Sequence, residues 1–322
     1  MPIHIALLGL GRLGGSLAAA LSARDDLQVA GFDLNPEISR VAQSRGLLRR
    51  IEWTIPNAVD SVDLVLLAQP LAEHRETLAV IAPHLRSGCV VASLASLLGP
   101  PIEWARELLP AERYFVACHP ILSPAHLPGG ETGLDAARAD LFAKGLWALA
   151  PGPACAPEAL KLISDLSTLL GSAPYFVDPA EHDGVMGGAD ALPTILAWAL
   201  MLTANMSSGW PEMRKIADQS FAAATAALAD PALLTLNRES VLRYLDAALA
   251  ELKAIRALIA SDSPASLEGA LTEAQALRAR WLAEREQGEW DTPPKTVDIP
   301  STTENLGRFF VGNLFKRRGA QK

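Results

Sequence analysis

Cysteine is scarce in this chain of 322 residues, which carries only Cys89, Cys118 and Cys155. The number is odd and no C-x-x-C pair occurs, so a disulfide framework is not expected and a reducing cytoplasm is the simplest home. Positive charge is short as well. With 28 Lys and Arg against 36 Asp and Glu, the net charge is −8 and the pI near 5.3, and no basic block interrupts the body of the chain. A nucleic-acid surface is therefore not expected. No metal-ligand spacing, phosphotransfer loop or nucleophile elbow stands out, and no metal is expected. The longest apolar run, Ala191 to Ala204, is broken by Pro193 and falls short of the roughly 20 residues a membrane span needs, so it reads as a buried helix. The N-terminus enters a strand directly, without the basic region and apolar core of an export signal.

Hydrophobic residues make up 50% of the chain, enough for two cores without staples. The opening, IHIALLGLGRLGGS, organises the first of them. Ile3 to Leu8 has the length and flanks of a buried parallel strand, and it meets Gly9, Gly11 and Gly14 in G-x-G-x-x-G spacing. The first glycine permits a tight turn, the second lets backbone approach a pyrophosphate, and the third lets the next helix pack on the strand. That helix, from Leu13 to Ala23, would present its first amides, at Arg12 and Leu13, to a bound anion.

Leu27 to Phe32 reads as the second strand and ends in Asp33, about twenty residues past the glycines, where a carboxylate accepts from the adenosine ribose hydroxyls. An acid there favours NAD. Arg12, Arg40 and Arg45 keep NADP open, and the competing reading of Asp33 is a cap for the helix after Pro36.

Further strands are expected at Val62–Leu67, Gly88–Leu94, Tyr114–Cys118, Leu146–Ala150 and Pro174–Val177. Ligands of a doubly wound sheet lie beyond the carboxyl ends of its strands, which singles out Gln69, either near the nicotinamide or as a solvated loop residue. His74 and His84 read as surface residues of a helix running to Leu85. His119 follows the strand that ends at Cys118, where an imidazole can take the proton of a substrate hydroxyl as hydride leaves the same carbon. Ser96, from the neighbouring strand end, would orient the imidazole or the hydroxyl; the alternative is a histidine that bonds only loop backbone. Cys118 points into the sheet and is no nucleophile. Ser123 to Gly133, rich in Pro and Gly, is a loop long enough to cover the site.

From Pro179 onward strands vanish. Helices are expected at Leu192–Met206, Pro211–Ala229, Leu233–Ala260 and Leu267–Arg285, several apolar on nearly every face, so a second copy of the chain should cover them. The expected organisation is a Rossmann-type α/β domain over residues 1–178, an all-α substrate and dimerisation domain over 179–287, and a linker with a basic-ended tail over 288–322.

Several stretches together carry a family resemblance. GLGRLGGSLA from Gly9, GFDLNP from Gly31, DLVLLAQPL from Asp63, CHPILSP from Cys118, EHDGVMGGADALPTILA from Glu181 and ADPALLTLNRESVL from Ala229 resemble the prephenate dehydrogenase family of tyrosine biosynthesis. The resemblance implies a Rossmann domain followed by a helical dimerisation domain. It also implies oxidative decarboxylation of prephenate or arogenate with NAD(P), with His119 as proton acceptor and Ser96 beside it. His182 and Asp183 are expected to cap their helix and to bond between the domains.

Departures from the family pattern cluster on the substrate side. Where the family has D-x-x-S-x-K, this chain has Ser93, Ser96 and Leu98; where the family has S-H-L-P-H, it has Asp190, Ala191, Leu192, Pro193 and Thr194. Alanines around Thr225 replace the T-R that precedes D-P. In the family that arginine and the first histidine engage the substrate carboxylates, and each charge-assisted hydrogen bond is worth about 1.5 to 3 kcal/mol. Arg214, Lys215 and Arg238 are the candidates to supply the missing charge to a small carboxylate substrate; their other reading is surface or interface charge. Two further functions stay open: a dehydrogenase of another hydroxy acid, and a non-catalytic NAD-binding regulatory dimer.

Overall fold

The structure, a computed structural model, describes residues 2–127, 132–227, 230–261 and 263–288. The polar linker and the tail with its Lys316–Arg318 end lie outside the described residues. The chain divides into two compact units, Met1–Gln275 and Ala276–Lys322; of the second, residues 276–288 are described, and all but the last belong to the final helix.

The first unit opens with β1 (Ile3–Leu8), α1 (Arg12–Leu21), β2 (Leu27–Phe32), α2 (Pro36–Ser44), β3 (Arg50–Ile51) and α3 (Ile55–Val59). It continues with β4 (Leu64–Leu67), α4 (Leu71–Ile81), β5 (Val90–Leu94), α5 (Gly99–Leu108), β6 (Tyr114–Ile121), β7 (Leu146–Pro151), α6 (Pro157–Leu169) and β8 (Ala173–Phe176). These strands form one sheet in the order β3-β2-β1-β4-β5-β6-β7-β8, parallel except where β6 meets β7. Strands covered on both faces need apolar or hydrogen-bonded residues at every position: LVLL of β4 and VVASL of β5 are buried throughout, Ser93 with its hydroxyl on His74. Successive residues serve opposite layers: Leu7 and Leu66 pack with Leu17 of α1 and Ile163 of α6, whereas Leu8 and Leu67 pack with Leu78 of α4 and Ile102 of α5.

The helical part follows with α7 (Pro179–Met186), a π turn at Gly187–Ala191, α8 (Leu192–Met206), α9 (Trp210–Ile216), α10 (Gln219–Thr225), α11 (Pro231–Leu236), α12 (Arg238–Ala260) and α13 (Pro264–Gln287). Two helices expected to be continuous are broken. Ala217 and Asp218 turn extended between α9 and α10, and Asn237 leaves helical geometry between α11 and α12. The start of α11 is written locally, because Asp230 caps Ala232 N ahead of Pro231. A small third core holds the helical part against the carboxyl ends of the strands: Leu71, Ala95 and Leu97 meet Met186, Ala191, Leu233 and Val241. That contact brings α7 and the π turn onto the strand ends.

Candidate active site

The glycine turn is built as its spacing predicts. Gly9 has φ of +92°, and a Cβ there would stand 2.8 Å from the backbone nitrogen of Gln69. A Cβ on Gly14 would run into the Gly9 carbonyl, whereas one on Gly11 would meet nothing within 4 Å. Open space therefore lies over the middle glycine, where a pyrophosphate belongs. Gly11 is the N-cap of α1 and supplies no side chain, so the first amides of the helix, those of Arg12 and Leu13 among them, have no side-chain cap.

Asp33 stands at the end of β2 with one carboxylate oxygen accepting from Leu10 N at 2.7 Å and the other from Asn35 N at 2.9 Å. Each oxygen keeps a lone pair for a ribose hydroxyl. Asp33 does not cap α2; the side chain of Asn35 does, accepting from Glu37 N. The three arginines that kept NADP open are turned to protein partners. Arg12 donates to the carbonyl of His126 at 3.1 Å, Arg40 pairs with Glu37 beside Trp53, and Arg45 pairs with Asp135 at 2.5 Å. Arg12 Nε is buried without a partner among the described residues, a donor left over beside the turn. The open Gly11, the uncapped helix and this spare donor fit the pyrophosphate of a dinucleotide, and Asp33 beside the engaged Arg40 and Arg45 fits a ribose without a 2′-phosphate.

The loop after β6 lies against α1. Leu134 and Ala137 sit so close to Gly15 that a Cβ there would clash, and Arg138 N donates to Ser16 Oγ at 2.9 Å.

Gln69 is buried, which overturns its reading as a solvated loop residue. Its side-chain oxygen accepts from Thr77 at 3.1 Å and its backbone carbonyl from His74 Nε2 at 3.0 Å. His74, expected on the surface, is completely buried because its other nitrogen meets Ser93 Oγ at 3.0 Å. The carbonyl fixes the tautomer: Nε2 donates and Nδ1 accepts. Burial lowers the His74 pKa to about 4.

His119 lies within β6, its ring edge-on to that of His182. His119 Nδ1 is 3.0 Å from His182 Nε2, and His182 Nδ1 is 2.9 Å from Asp183 Oδ1. Asp183 also accepts from Leu98 N at 2.8 Å and Gly99 N at 2.9 Å, tying α7 to the start of α5. A carboxylate only accepts, so the direction of the chain is fixed: His182 donates to Asp183 and His119 Nδ1 donates to His182. His119 Nε2 keeps a free lone pair. Burial, with His182 adding to it, depresses the His119 pKa to about 3, so the imidazole is neutral near pH 7.

The pair His182–Asp183 does bond between the two parts of the chain, as expected, but caps nothing on its own helix. Asp178 takes that role, accepting from Ala180 N and Glu181 N. Sequence reasoning missed the partnership with His119, 63 residues away. Its one signal is the adjacency of His and Asp in the E-H-D segment. Ser96 and His119 share no hydrogen bond among the described residues; burial raises the Asp190 carboxyl pKa, and the neighbouring Ser96 hydroxyl offsets part of that rise.

Arg214 on α9 and Arg238 on α12 are exposed, and neither hydrogen-bonds or ion-pairs with any described residue. Lys215 pairs with Glu212 on its own helix. None of the three hydrogen-bonds to His119, His182 or Asp183 among the described residues. A cavity of about 570 Å³ between α8, α10 and α11 is lined by Thr194, Trp198, Met201, Thr225 and Leu234 among others, with no charged side chain. Cys118 is fully buried with its thiol pKa pushed up, which agrees with its reading as inert.

Two family models match the chain: the nucleotide-binding domain of prephenate dehydrogenase over residues 17–174 and its dimerization domain over residues 178–273. A cyclohexadienyl dehydrogenase of Zymomonas mobilis subsp. mobilis is 30% identical over 271 residues, 80% of this chain and 89% of that protein. Among solved structures, prephenate dehydrogenase from A. aeolicus in complex with hydroxyphenyl propionate and NAD+ superposes with a TM-score of 0.76 at 25% identity, covering 87% of this chain and 99% of that one. A Synechocystis arogenate dehydrogenase shares the fold with a TM-score of 0.66 at 23% identity, covering 87% and 100%.

Proposed function

The chain belongs to the prephenate dehydrogenase family, and from that premise we propose that it oxidatively decarboxylates a cyclohexadienyl substrate of the prephenate or arogenate type, with NAD as hydride acceptor. The observation that carries this is the free Nε2 of a neutral His119, held in one orientation and one tautomer by His182 and Asp183. When bound over the glycine turn, NAD would supply the acceptor for a hydride from the ring carbon that bears the hydroxyl. Gly9, Gly11 and Gly14, with the amides of Arg12 and Leu13, would hold its pyrophosphate, and Asp33 its ribose. Buried Gln69 lines the end of β4 next to Gly9.

His119 Nε2 accepts the hydroxyl proton as hydride leaves. His182, tied down by Asp183, aims that nitrogen at the hydroxyl, as a carboxylate orients the base of a triad. Loss of carbon dioxide makes the ring aromatic, and His119 returns its proton to the phenol oxygen. The residues handle one proton and no net charge. A fixed base aimed by two further groups argues for catalysis rather than passive binding of the nucleotide.

The same reading assigns residues 1–178 to nucleotide binding and 179–287 to substrate binding and dimerisation, with 288–322 as linker and tail; the change of family model between 174 and 178 supports the first boundary. The partner is a second copy, through helices that carry the dimerization-domain match. Three unpaired cysteines suit a cytoplasmic setting.

The test is NADH formation with prephenate and with arogenate, beside His119→Ala. Turnover with one of them, lowered about 10² to 10⁴-fold by the substitution while NAD affinity is kept, is the expected result. No turnover with both would overturn the reading.

A further inference from the structure

The strand order reverses between β1 and β4, and a dinucleotide of a doubly wound sheet lies across that crevice, its adenosine toward β2 and its nicotinamide half toward β4 and β5. The chain leaves β4 through Ala68, Gln69 and Pro70. This exit touches the glycine turn: a Cβ on Gly9 would stand 2.9 Å from Gln69 Cγ, and one on Gly14 would stand 3.3 Å from Ala68 Cβ. A nicotinamide half that crosses the turn therefore passes Gln69.

Two residues one turn apart on α4 hold that glutamine. Of the buried positions of α4, Leu71, Leu78 and Ile81 are apolar, whereas His74 and Thr77 are polar and both address Gln69. Thr77 donates to the side-chain oxygen at 3.1 Å, and His74 Nε2 donates to the backbone carbonyl at 3.0 Å. Nδ1 of the same imidazole accepts from Ser93 Oγ at 3.0 Å, which carries the restraint from the end of β4 to the neighbouring β5. An aliphatic side chain would fill the place of His74 without burying two ring nitrogens. Only a residue with a donor at one end and an acceptor at the other satisfies the Gln69 carbonyl and Ser93 together.

One group in this network is left over. With its oxygen taken by Thr77, the Gln69 side chain presents Nε2 as a donor, and Nε2 bonds to no described residue although Gln69 is only 7% exposed. A buried amide without an acceptor is costly, and beside the open glycine turn the acceptor that suits it is an oxygen of the bound nucleotide. We propose that His74 is a positioning residue for the nucleotide: through the Gln69 carbonyl and Ser93 it fixes the end of β4 so that Gln69 Nε2 donates to an oxygen of the nicotinamide-side ribose phosphate. This deepens the NAD-binding reading above and rests on it.

The experiment titrates the full chain calorimetrically with NAD and with AMP, which carries only the adenosine side. His74→Leu and Gln69→Leu should each weaken NAD about tenfold, the effect of one lost hydrogen bond to the ligand, and leave AMP affinity unchanged. Combined, they should cost no more than either alone, because His74 acts only through Gln69. His74→Gln, whose amide can donate to the Gln69 carbonyl, should recover most of the loss. Thr77→Val keeps the shape of the helix face and frees the Gln69 amide to turn, so it should weaken NAD in the same direction and serves as the test if His74→Leu does not fold. Parallel losses for NAD and AMP would show that His74 only holds the fold. Additive losses, or NAD affinity unchanged in the His74 and Thr77 variants, would equally overturn its role, and each of these results leaves NAD binding in place. A wild type that binds no NAD would overturn the cofactor reading itself, and this proposal with it.

Discussion

The proton path depends on which nitrogen of His119 is free. Asp183 cannot donate when ionised, so its bond to His182 orients both rings and leaves His119 Nε2 as the acceptor. Asp183→Asn supplies an amide that can donate, which permits the wrong tautomer. We expect kcat to fall by about 10²-fold or more with NAD affinity unchanged, a smaller relative of the loss seen when the carboxylate of a catalytic triad is neutralised. Steady-state kinetics beside an NAD titration checks this; a lowered melting temperature with kcat intact would mean that Asp183 only ties α7 to Leu98 and Gly99. The sequence singled out His119 by its place after a strand that ends facing the nucleotide turn, with a histidine bonded only to loop backbone as the alternative. It could not make His182 legible as its partner. That pairing depends on how α7 lands on the strand ends, and no local pattern encodes a contact between residues 63 positions apart.

Elements of the sheet were readable because burial on both faces demands apolar runs, which β4 has throughout and β1 and β2 have over their last four, buried residues. Helix interiors in the second half were less so. A break at Ala217–Asp218 leaves no proline or glycine behind, since ordinary residues turn extended where packing asks for it. The helix after β4 hides a similar surprise. Its His74 faces inward and holds the Gln69 carbonyl and Ser93 together, so the strand end beneath the cofactor depends on an uncharged imidazole. The consequence for stability has a definite sign. In the unfolded chain this histidine takes up a proton near pH 6.5, but in the folded protein only near 4, so folding is progressively opposed as pH falls through that window and unaffected above it. The expected loss is about 3 kcal/mol between pH 7 and pH 4 from this group alone. Denaturant unfolding of wild type and His74→Gln at both pH values checks it: the variant should lose less stability on acidification, and an equal loss would show that other groups govern the acid response.

At the scale of the molecule, the helical part carries apolar surface that this chain alone does not cover. On α12, Leu242, Leu249, Leu252 and Ile259 are each about half exposed or more and fall on one face of the helix; on α8, Trp198 is 59% and Met206 83% exposed. Contiguous surface of this kind in the region that matches a dimerization domain calls for a second copy against it. The run Pro179–Met206 is apolar enough by length and composition to cross a bilayer, yet only its later part is free, because His182 and Asp183 are committed to His119 and to the start of α5. Light scattering coupled to size exclusion should therefore give twice the chain mass of 34.2 kDa. Leu252→Arg would set a charge in the middle of the α12 stripe without touching the Rossmann sheet or His119. It should shift the mass toward that of one chain at micromolar concentration while NAD still binds, since the glycine turn and Asp33 belong to a separate layer of the structure. A mass of one chain for the wild type, or a dimer indifferent to Leu252→Arg, would place the interface elsewhere and leave the apolar face of α12 without its partner.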